Sequence, residues 1–433
     1  MELALHALAD GVIDTLLEVR RRVDVHFERT ALALPHDDSE QRLVRCVAQA
    51  MGVPVRDAAA DGDEVGALLR LNLRHAGSQG AARAMAQADW AEQVARRASQ
   101  RLATAPSGPP ARFASLPGVQ RRSAPDGQVH YLRAGHGPEA LLLVNAFGLT
   151  LDVWHALARA LLPRFTLLVI DDDPPSPELP RVYYDRADSL PRFLHGVRAA
   201  LAAEGLARCH VASWCSGGKF ALELARALPD SIASLALFAP SFAGIEGTAG
   251  ADSAFEASLH TMCTLVERMP QSADSMARSM LALMKKSDSA HDPLASPFER
   301  ADQATLHWLH APYASAAHML AYSRQLLQFR AHQPTLDAAR LTLPVMLVTG
   351  QRDGATCSLR ARDICRRVCA PVEFELQHAG HYFIHQNSAL VAQLLQAFVA
   401  EGTEVAAPHP RFVRVASELD ANEDEAALVS GEL

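Results

Sequence analysis

The strongest constraint on the fold is a series of short apolar runs that do not alternate with polar residues and that are separated by longer amphipathic segments. Such runs are typical of strands buried on both faces, and the segments between them are typical of helices that cover a parallel sheet. The sequence therefore predicts an α/β fold with a mostly parallel sheet. The runs are EALLLVNAF, FTLLVIDDD, CHVASW, SIASLALFAP, LPVMLVTG and PVEFELQHAG.

The remaining sequence predicts further segments around this sheet. Residues 1–105 carry apolar residues at helical spacing and no catalytic motif, so we predict a helical N-terminal region that is followed by a Pro-rich linker. Residues 106–403 are predicted to be the catalytic domain, in which 241–340 lose the strand pattern and form a helical lid. Residues 404–433 turn acidic and poor in large apolar groups, which predicts a disordered tail.

Composition excludes several classes of function. The net charge of −8 argues against a protein that binds nucleic acid through a basic footprint. No apolar run approaches membrane-spanning length and the N-terminus does not resemble a signal peptide, so we expect a soluble cytoplasmic protein with no membrane contact. The 7 cysteines lack C-x-x-C pairs, which predicts reduced thiols, no metal and no cofactor of its own. Cys357, Cys365 and Cys369 are expected to be small buried residues of one helix.

The stretch SWCSGG at the end of one run predicts a nucleophile elbow. In an elbow, a strand turns sharply into a helix, and the residues two before and two after the nucleophile must be small. Cys215 satisfies this rule, because its flanks are Ser213 and Gly217. If Ser216 were the nucleophile, Trp214 would occupy a position that requires a small residue. If Ser213 were the nucleophile, Val211 would occupy that position. The alternative is an inert buried cysteine at a strand end.

The elbow also predicts how Cys215 is activated and where an acyl oxygen binds. The positive end of the following helix favours a thiolate. The backbone amide of Ser216 is the expected first donor of an oxyanion hole. The second donor is predicted to be the backbone amide of Phe147. The stretch Asn145-Ala-Phe-Gly148 occupies the loop where enzymes with a nucleophile elbow often carry a His-Gly motif.

An acid and a base follow the elbow in the order that this topology requires, which is nucleophile, acid, histidine. Asp353 follows a buried strand and a turn glycine, and His381 follows the next strand. We predict Asp353 as the orienting acid and His381 as the base. The rivals are His378 and His385, which flank the predicted base, and the aspartates of 171–173, which precede the nucleophile and break the order.

With SWCSGG, GQRDG and AGHYF in this order and VNAFG upstream, residues 112–402 resemble the α/β-hydrolase superfamily. The cysteine nucleophile and the long helical region before it are similar to the carrier-to-carrier aminoacyltransferases of syringomycin- and coronatine-type nonribosomal peptide biosynthesis. This resemblance implies that Cys215 takes an aminoacyl group from the phosphopantetheine thiol of a donor thiolation domain and delivers it to an acceptor thiolation domain. Ser213 in place of Gly and Asn145 in place of His depart from the common hydrolase pattern.

Other functions remain open at this point. Attack by a cysteine on a thioester yields another thioester, so the step is nearly isoenergetic and suits a shuttle. A cysteine-dependent thioesterase or hydrolase would use the same three residues, Cys215, His381 and Asp353. A polyester synthase-like acyltransferase also resembles this fold. A binding protein with the hydrolase fold would not use these residues for catalysis. The N-terminal region either docks the carriers or supports the fold. The sequence leaves open the acyl group, the two carriers and the oligomeric state.

Overall fold

A computed structural model shows how these segments fold. The linker residues 105–111, the lid residues 286–307 and 337–339, and the acidic end 416–433 lie outside the described residues. The described residues are 2–21, 31–35, 37–56, 64–76, 85, 88–104, 112–125, 127, 129–170, 189–285, 308–336 and 340–415.

The N-terminal region is mainly helical and has its own cluster of buried apolar residues. Asp37 begins the second helix by accepting a hydrogen bond from the Glu40 amide, and Gly52 ends it in a left-handed conformation. Two short strands pair in parallel, a feature that the helical pattern does not predict, because a two-residue strand is too short to show a period. The elements are α1 (Glu2–Arg21), β1 (Leu32–Ala33), α2 (Asp38–Met51), β2 (Val55–Arg56), α3 (Glu64–Ala76) and α4 (Trp90–Thr104).

Among the described residues that follow this region, a sheet of 9 strands forms the centre. Its strands are β3 (Gln120–Ser123), β4 (His130–Ala134), β5 (Glu139–Val144), β6 (Phe165–Ile170), β7 (Cys209–Trp214), β8 (Ile232–Phe238), β9 (Val345–Gly350), β10 (Val372–Leu376) and β11 (Phe412–Arg414). Their spatial order is β3-β4-β6-β5-β7-β8-β9-β10-β11. The strands β5 to β10 run parallel to one another. Strands β3, β4 and β11, at the two sides of the sheet, run antiparallel to their neighbours. This is the α/β-hydrolase fold, and the predicted fold class is confirmed.

Helices lie between successive strands from β5 onwards. Strands β6 and β9 are buried at every position, which is why their apolar runs do not alternate with polar residues. Three of the helices, α8 to α10, lie in the segment predicted to form a helical lid. The helices are α5 (His155–Leu161), α6 (Ser189–Ala203), α7 (Gly217–Ala227), α8 (Ala254–Arg268), α9 (Ala273–Lys285), α10 (Ala316–Ala331), α11 (Ser358–Val368), α12 (Phe383–Gln386) and α13 (Ser388–Glu401).

The two edges of the sheet differ from the sequence-based expectation. The stretch GQVHYLRAG predicts an antiparallel edge strand, but β3 pairs with the outer side of β4, which lies in this stretch, and β3 is itself the edge strand. The sequence of β3, QRRS, has no apolar periodicity because most of its side chains face solvent. At the other edge β11 lies inside 404–433, so the prediction of disorder is wrong for its first part. Pairing with β10 satisfies the backbone there and buries Phe412.

All the cysteines are free thiols. Cys365 on α11 and Cys369 at the C-terminal cap of this helix are buried, as expected, and burial raises the pKa of the Cys369 thiol to about 12. Cys357 is only half-buried, because it stands at the N-terminal cap of that helix and accepts a hydrogen bond from the Arg360 amide. Among the helices that the structure describes, none combines the length and the apolar character that crossing a bilayer requires.

Candidate active site

The turn between β7 and α7 holds Cys215 in a left-handed backbone conformation, with φ of 54°. This region is rarely occupied by a residue other than glycine and costs conformational energy. Backbone hydrogen bonds hold the turn: the Cys215 amide donates to the Phe238 carbonyl over 3.1 Å, and its carbonyl accepts from the Gly218 and Ser241 amides over 3.0 Å. A strained turn that is held this firmly presents one side chain at its apex, and here that side chain is a thiol.

The residues that flank the turn explain why it must be built from small side chains. A Cβ atom on Gly217 would lie 2.6 Å from the Val144 carbonyl oxygen, so only glycine fits there. Ser213 is fully buried on the other flank, and its hydroxyl has no hydrogen-bond partner among the described residues. The steric rule that selected Cys215 from the sequence therefore corresponds to real contacts with β5.

The predicted nucleophile, base and acid lie together. Nδ1 of His381 is 2.9 Å from Oδ2 of Asp353, and the same imidazole is hydrogen-bonded to the thiol group of Cys215. Asp353 is held in turn by the Ala355 amide at 2.8 Å and by the Thr356 amide and hydroxyl at 3.1 and 2.9 Å. The carboxylate is therefore fixed in orientation and can align the imidazole with the thiol.

Two electrostatic effects act on this pair. Burial raises the pKa of Asp353. The charge of His381 and the hydrogen bonds to the carboxylate lower it by more than burial raises it, so the pKa lies below its ordinary value. Burial lowers the pKa of His381, but the charges of Asp353 and Cys215 and the hydrogen bonds with both raise it to about 10. The pair is thus a buried ion pair, which favours a cationic imidazole beside the sulfur.

Local features bring the base and acid loops to the elbow. Gly350 ends β9 where a Cβ atom would lie 2.6 Å from the Ala379 carbonyl oxygen, so the absence of a side chain lets the acid loop approach the base loop. The indole of Trp214 donates to the carbonyl oxygen of His381 over 3.2 Å. Trp214, the residue before Cys215, therefore helps to fix the position of His381.

The rival residues lie elsewhere. His378 has φ of 58°, and its Nδ1 is 3.3 Å from the guanidinium of Arg352. His385 packs edge-on against the Trp308 ring, with centroids 4.5 Å apart. The three aspartates at 171–173 lie outside the described residues.

The two residues predicted to form the oxyanion hole, Ser216 and Phe147, are in contact. Ser216 is the first residue after the apex and caps α7, where helix amides lack intrahelical partners. The amide of Phe147 donates to the hydroxyl of Ser216 over 3.1 Å, a contact that the sequence does not predict. An acyl oxygen at this point would share or replace that hydrogen bond. Asn145 holds the loop by donating to the Leu149 carbonyl and accepting from the Trp154 indole.

A mainly apolar cavity of about 80 Å³ opens above Cys215. The lid covers it with one face of α10, from which Tyr322, Leu326, Phe329 and Arg330 line the cavity at helical spacing. The Phe147 ring packs against those of Tyr322 and Phe329, with centroids 5.5 and 5.3 Å apart. The sequence places the lid over the site in general, but it does not single out these side chains.

Two charged residues that sequence analysis missed also line the cavity, Glu256 and Arg330. Their signal was weak, because each looks like a surface charge on an amphipathic helix. Within the described part of the chain, no group of three or more His, Cys, Asp or Glu side chains is arranged to hold a metal ion. The chemistry that the arrangement can perform is nucleophilic attack by a thiolate on an acyl carbon, followed by proton transfer through His381.

Comparison with protein-family models and with curated proteins finds no match. Among solved structures, a bacterial membrane phospholipase A is 25% identical, with a TM-score of 0.48 over 68% of this chain and 88% of that chain. A thermophilic esterase from Thermogutta terrifontis is 17% identical, with a TM-score of 0.46 over 65% and 98%. The 2-hydroxy-6-oxo-6-phenylhexa-2,4-dienoate hydrolase from Rhodococcus is 14% identical, with a TM-score of 0.47 over 64% and 97%.

TM-scores below 0.5 support no inference about the activity of this chain. Its own strand order, the strained turn after β7 and the helical lid establish the architecture. The chain therefore has the α/β-hydrolase fold, with a cysteine at the apex of its elbow.

Proposed function

We propose that the protein is an acyltransferase that carries its substrate as a thioester on Cys215. The observation that carries this proposal is the thiol at the elbow apex, hydrogen-bonded to His381, whose imidazole is paired with a fully buried carboxylate. In this role Asp353 orients His381, and His381 acts first as base and then as acid. The backbone amides of Ser216 and Phe147 are the proposed donors to the acyl oxygen.

We further propose that the donor and acceptor are phosphopantetheine thiols of two thiolation domains and that the cargo is an aminoacyl group, as in nonribosomal peptide biosynthesis. The donor thioester bond breaks as the Cys215 thioester forms, and His381 returns the proton to the leaving thiol. The second step reverses these roles. Because a thioester is exchanged for a thioester at each step, the acyl group stays activated. The N-terminal region is proposed as a separate unit that assists carrier docking or supports the catalytic domain.

Support for transfer over hydrolysis comes from the surroundings of the sulfur. The cavity is small and mainly apolar, and the lid helix α10 covers it. Exclusion of water prolongs the life of an acyl-enzyme until a second thiol arrives. A thioesterase would share the triad but would need a path for water.

The test is intact-protein mass spectrometry. The enzyme is mixed with an aminoacyl-loaded thiolation domain, and an empty phosphopantetheinylated thiolation domain is then added. We expect a mass gain on the enzyme that disappears in Cys215→Ala, followed by a gain on the second carrier. Cys215→Ser should form a slow or dead-end oxyester.

Two outcomes contradict the proposal. Full transfer by Cys215→Ala would refute the role of this thiol. An adduct that decays to the free acid, with no loading of the second carrier, would identify a cysteine hydrolase instead. Circular dichroism of both variants controls for loss of fold.

A further inference from the structure

We infer that Glu256 binds the ammonium group of the acyl cargo and thereby selects acyl groups with a free α-amine. This inference rests on the proposed function, because it concerns the cargo on Cys215. The structural basis is a buried carboxylate that lines the cavity above the nucleophile and has no cationic partner of its own.

The position of Glu256 is fixed by the start of α8. Ser253 caps this helix by accepting a hydrogen bond from the Glu256 amide, and the Glu256 carboxylate accepts one from the Ser253 amide over 2.9 Å. The hydroxyl of Ser241 donates to the other carboxylate oxygen over 2.7 Å. Only 7% of the residue is exposed. The carboxylate is therefore held rigidly at the cavity wall.

Charge balance distinguishes Glu256 from its neighbours. The nearby guanidiniums of Arg330 and Arg360 both pair with Asp252, over 2.7 and 2.5 Å. Among the residues that the structure describes, no Arg, Lys or His forms an ion pair with Glu256. Burial raises the pKa of Glu256 above its ordinary value and the charge of Asp252 adds to this effect, whereas the hydrogen bonds from Ser253 and Ser241 and the charge of Arg360 oppose it. A buried carboxylate without a cation is costly, and a substrate cation would offset that cost.

Proximity to the nucleophile makes an α-ammonium the fitting cation. Ser241 links the two sites, because its amide donates to the Cys215 carbonyl and its hydroxyl donates to Glu256. In an aminoacyl thioester the amine is one carbon from the acyl carbon, so a cation on the cargo must lie close to the sulfur. Glu256 and Cys215 line the same cavity, so a cation on the cargo would share that space with the carboxylate.

The rest of the cavity limits the cargo to a small acyl group. Phe255, Leu259, Leu326 and Phe329 provide an apolar lining. The volume of about 80 Å³ is well below the roughly 150 Å³ of an engineered cavity that holds benzene. A short aliphatic amino acid therefore fits better than a long acyl chain.

The experiment compares alanyl and propionyl thioesters of N-acetylcysteamine, which differ only in the amino group. The rate of Cys215 acylation is followed by intact-protein mass spectrometry. We expect the wild-type protein to prefer the alanyl thioester by about 30-fold, as for an interaction with a buried charge partner. In Glu256→Gln this preference should fall towards unity, because glutamine keeps the hydrogen bonds of the helix cap but loses the charge.

The control is Glu267→Gln on the same helix, where the carboxylate pairs with Arg324 at the surface. This variant should keep the wild-type preference. An unchanged preference in Glu256→Gln, or equal rates for both thioesters in the wild-type protein, would overturn the inference while leaving acyl transfer intact. If the wild-type protein accepts neither thioester nor loaded carrier, the proposed function and this inference fall together. Equal rates for the two thioesters in the wild-type protein would overturn the inference even if Glu256→Gln does not fold.

Discussion

A single buried ion pair sets the protonation of the candidate base. Burial alone would leave His381 neutral, whereas the carboxylate of Asp353 at 2.9 Å stabilises the cation. The carboxylate itself is held by hydrogen bonds from Ala355 and Thr356, so it cannot turn away. The orientation of the base therefore depends on a residue that does not touch the substrate.

Asp353→Asn tests this dependence. We expect acyl transfer to fall by about 10⁴-fold, because the imidazole loses the charge that aligns and stabilises it. The folded-state pKa of His381, about 10, lies above its unfolded value. The pair thus stabilises the fold fully below about pH 6.5, and this stabilisation disappears as the pH rises through about 10.

The measurement is the free energy of unfolding against pH in both proteins. The wild-type protein should lose on the order of a few kcal/mol relative to Asp353→Asn across this window. Acidification tests Asp353 separately, because its lowered pKa means that its contribution is lost only as the pH falls below its usual range. Parallel curves between neutral and alkaline pH would contradict the ion pair.

At the scale of elements, the elbow helix and the lid meet at a buried lysine. Lys219 lies in α7, and its ammonium donates to the carbonyl oxygens of Ala243, Phe329 and His332 over 3.0, 2.6 and 2.9 Å. The same ammonium lies 4.1 Å from the centroid of the Phe329 ring. The C-terminal end of α10 is thus bound to α7, the helix that follows Cys215.

Lys219→Met should loosen the lid. The substitution leaves three buried carbonyl groups without their donor, and we expect the free energy of unfolding to fall by about 3 kcal/mol or more. Water should then reach the thioester, so the acylated enzyme should hydrolyse faster. Denaturant unfolding and the lifetime of the acyl adduct measure the two effects.

Arg198→Met on the exposed face of α6 is the matched control and should change stability by less than about 0.5 kcal/mol. A Lys219→Met protein that is as stable as the wild type, with an equally long-lived adduct, would show that the lysine does not secure the lid.

At the scale of the whole molecule, one ion pair joins the two ends of the described chain. The guanidinium of Arg411, which is 1% exposed, donates to Glu18 over 2.8 Å and also to the Gln377 carbonyl. These partners are 393 residues apart in sequence. The N-terminal helix α1 therefore contributes a charge that the segment before β11 needs.

Glu18→Gln should lower the free energy of unfolding by about 3 kcal/mol, because it leaves the buried guanidinium without its counter-charge. Asp14→Asn on the same helix serves as the comparison, since its partner Arg101 is exposed and such pairs contribute less than about 1 kcal/mol. Denaturant unfolding measures both. Equal effects of the two substitutions would mean that Arg411 does not depend on Glu18.

The central strands were predictable from sequence because a strand buried on both faces has to be apolar throughout. The edge strand β3 was not, because QRRS faces solvent and carries no period. Strand β11 was missed for a related reason: it is three residues long, and only Phe412 is buried within it. These two strands form because their backbones pair with a neighbouring strand. Backbone pairing imposes no apolar pattern on the side chains, so the sequence of these strands does not predict them.

The sequence by itself determined which residue is predicted as the nucleophile, because the steric rule at Cys215 involves only its immediate flanks. It also placed Asp353 and His381 after successive strands, since the carboxyl ends of parallel strands share one edge of a sheet. Only the tertiary structure decided that the Phe147 amide meets the Ser216 hydroxyl and that Glu256 faces the cavity without a cation. The physical reason is that these contacts join distant segments, whose meeting depends on packing rather than on local pattern.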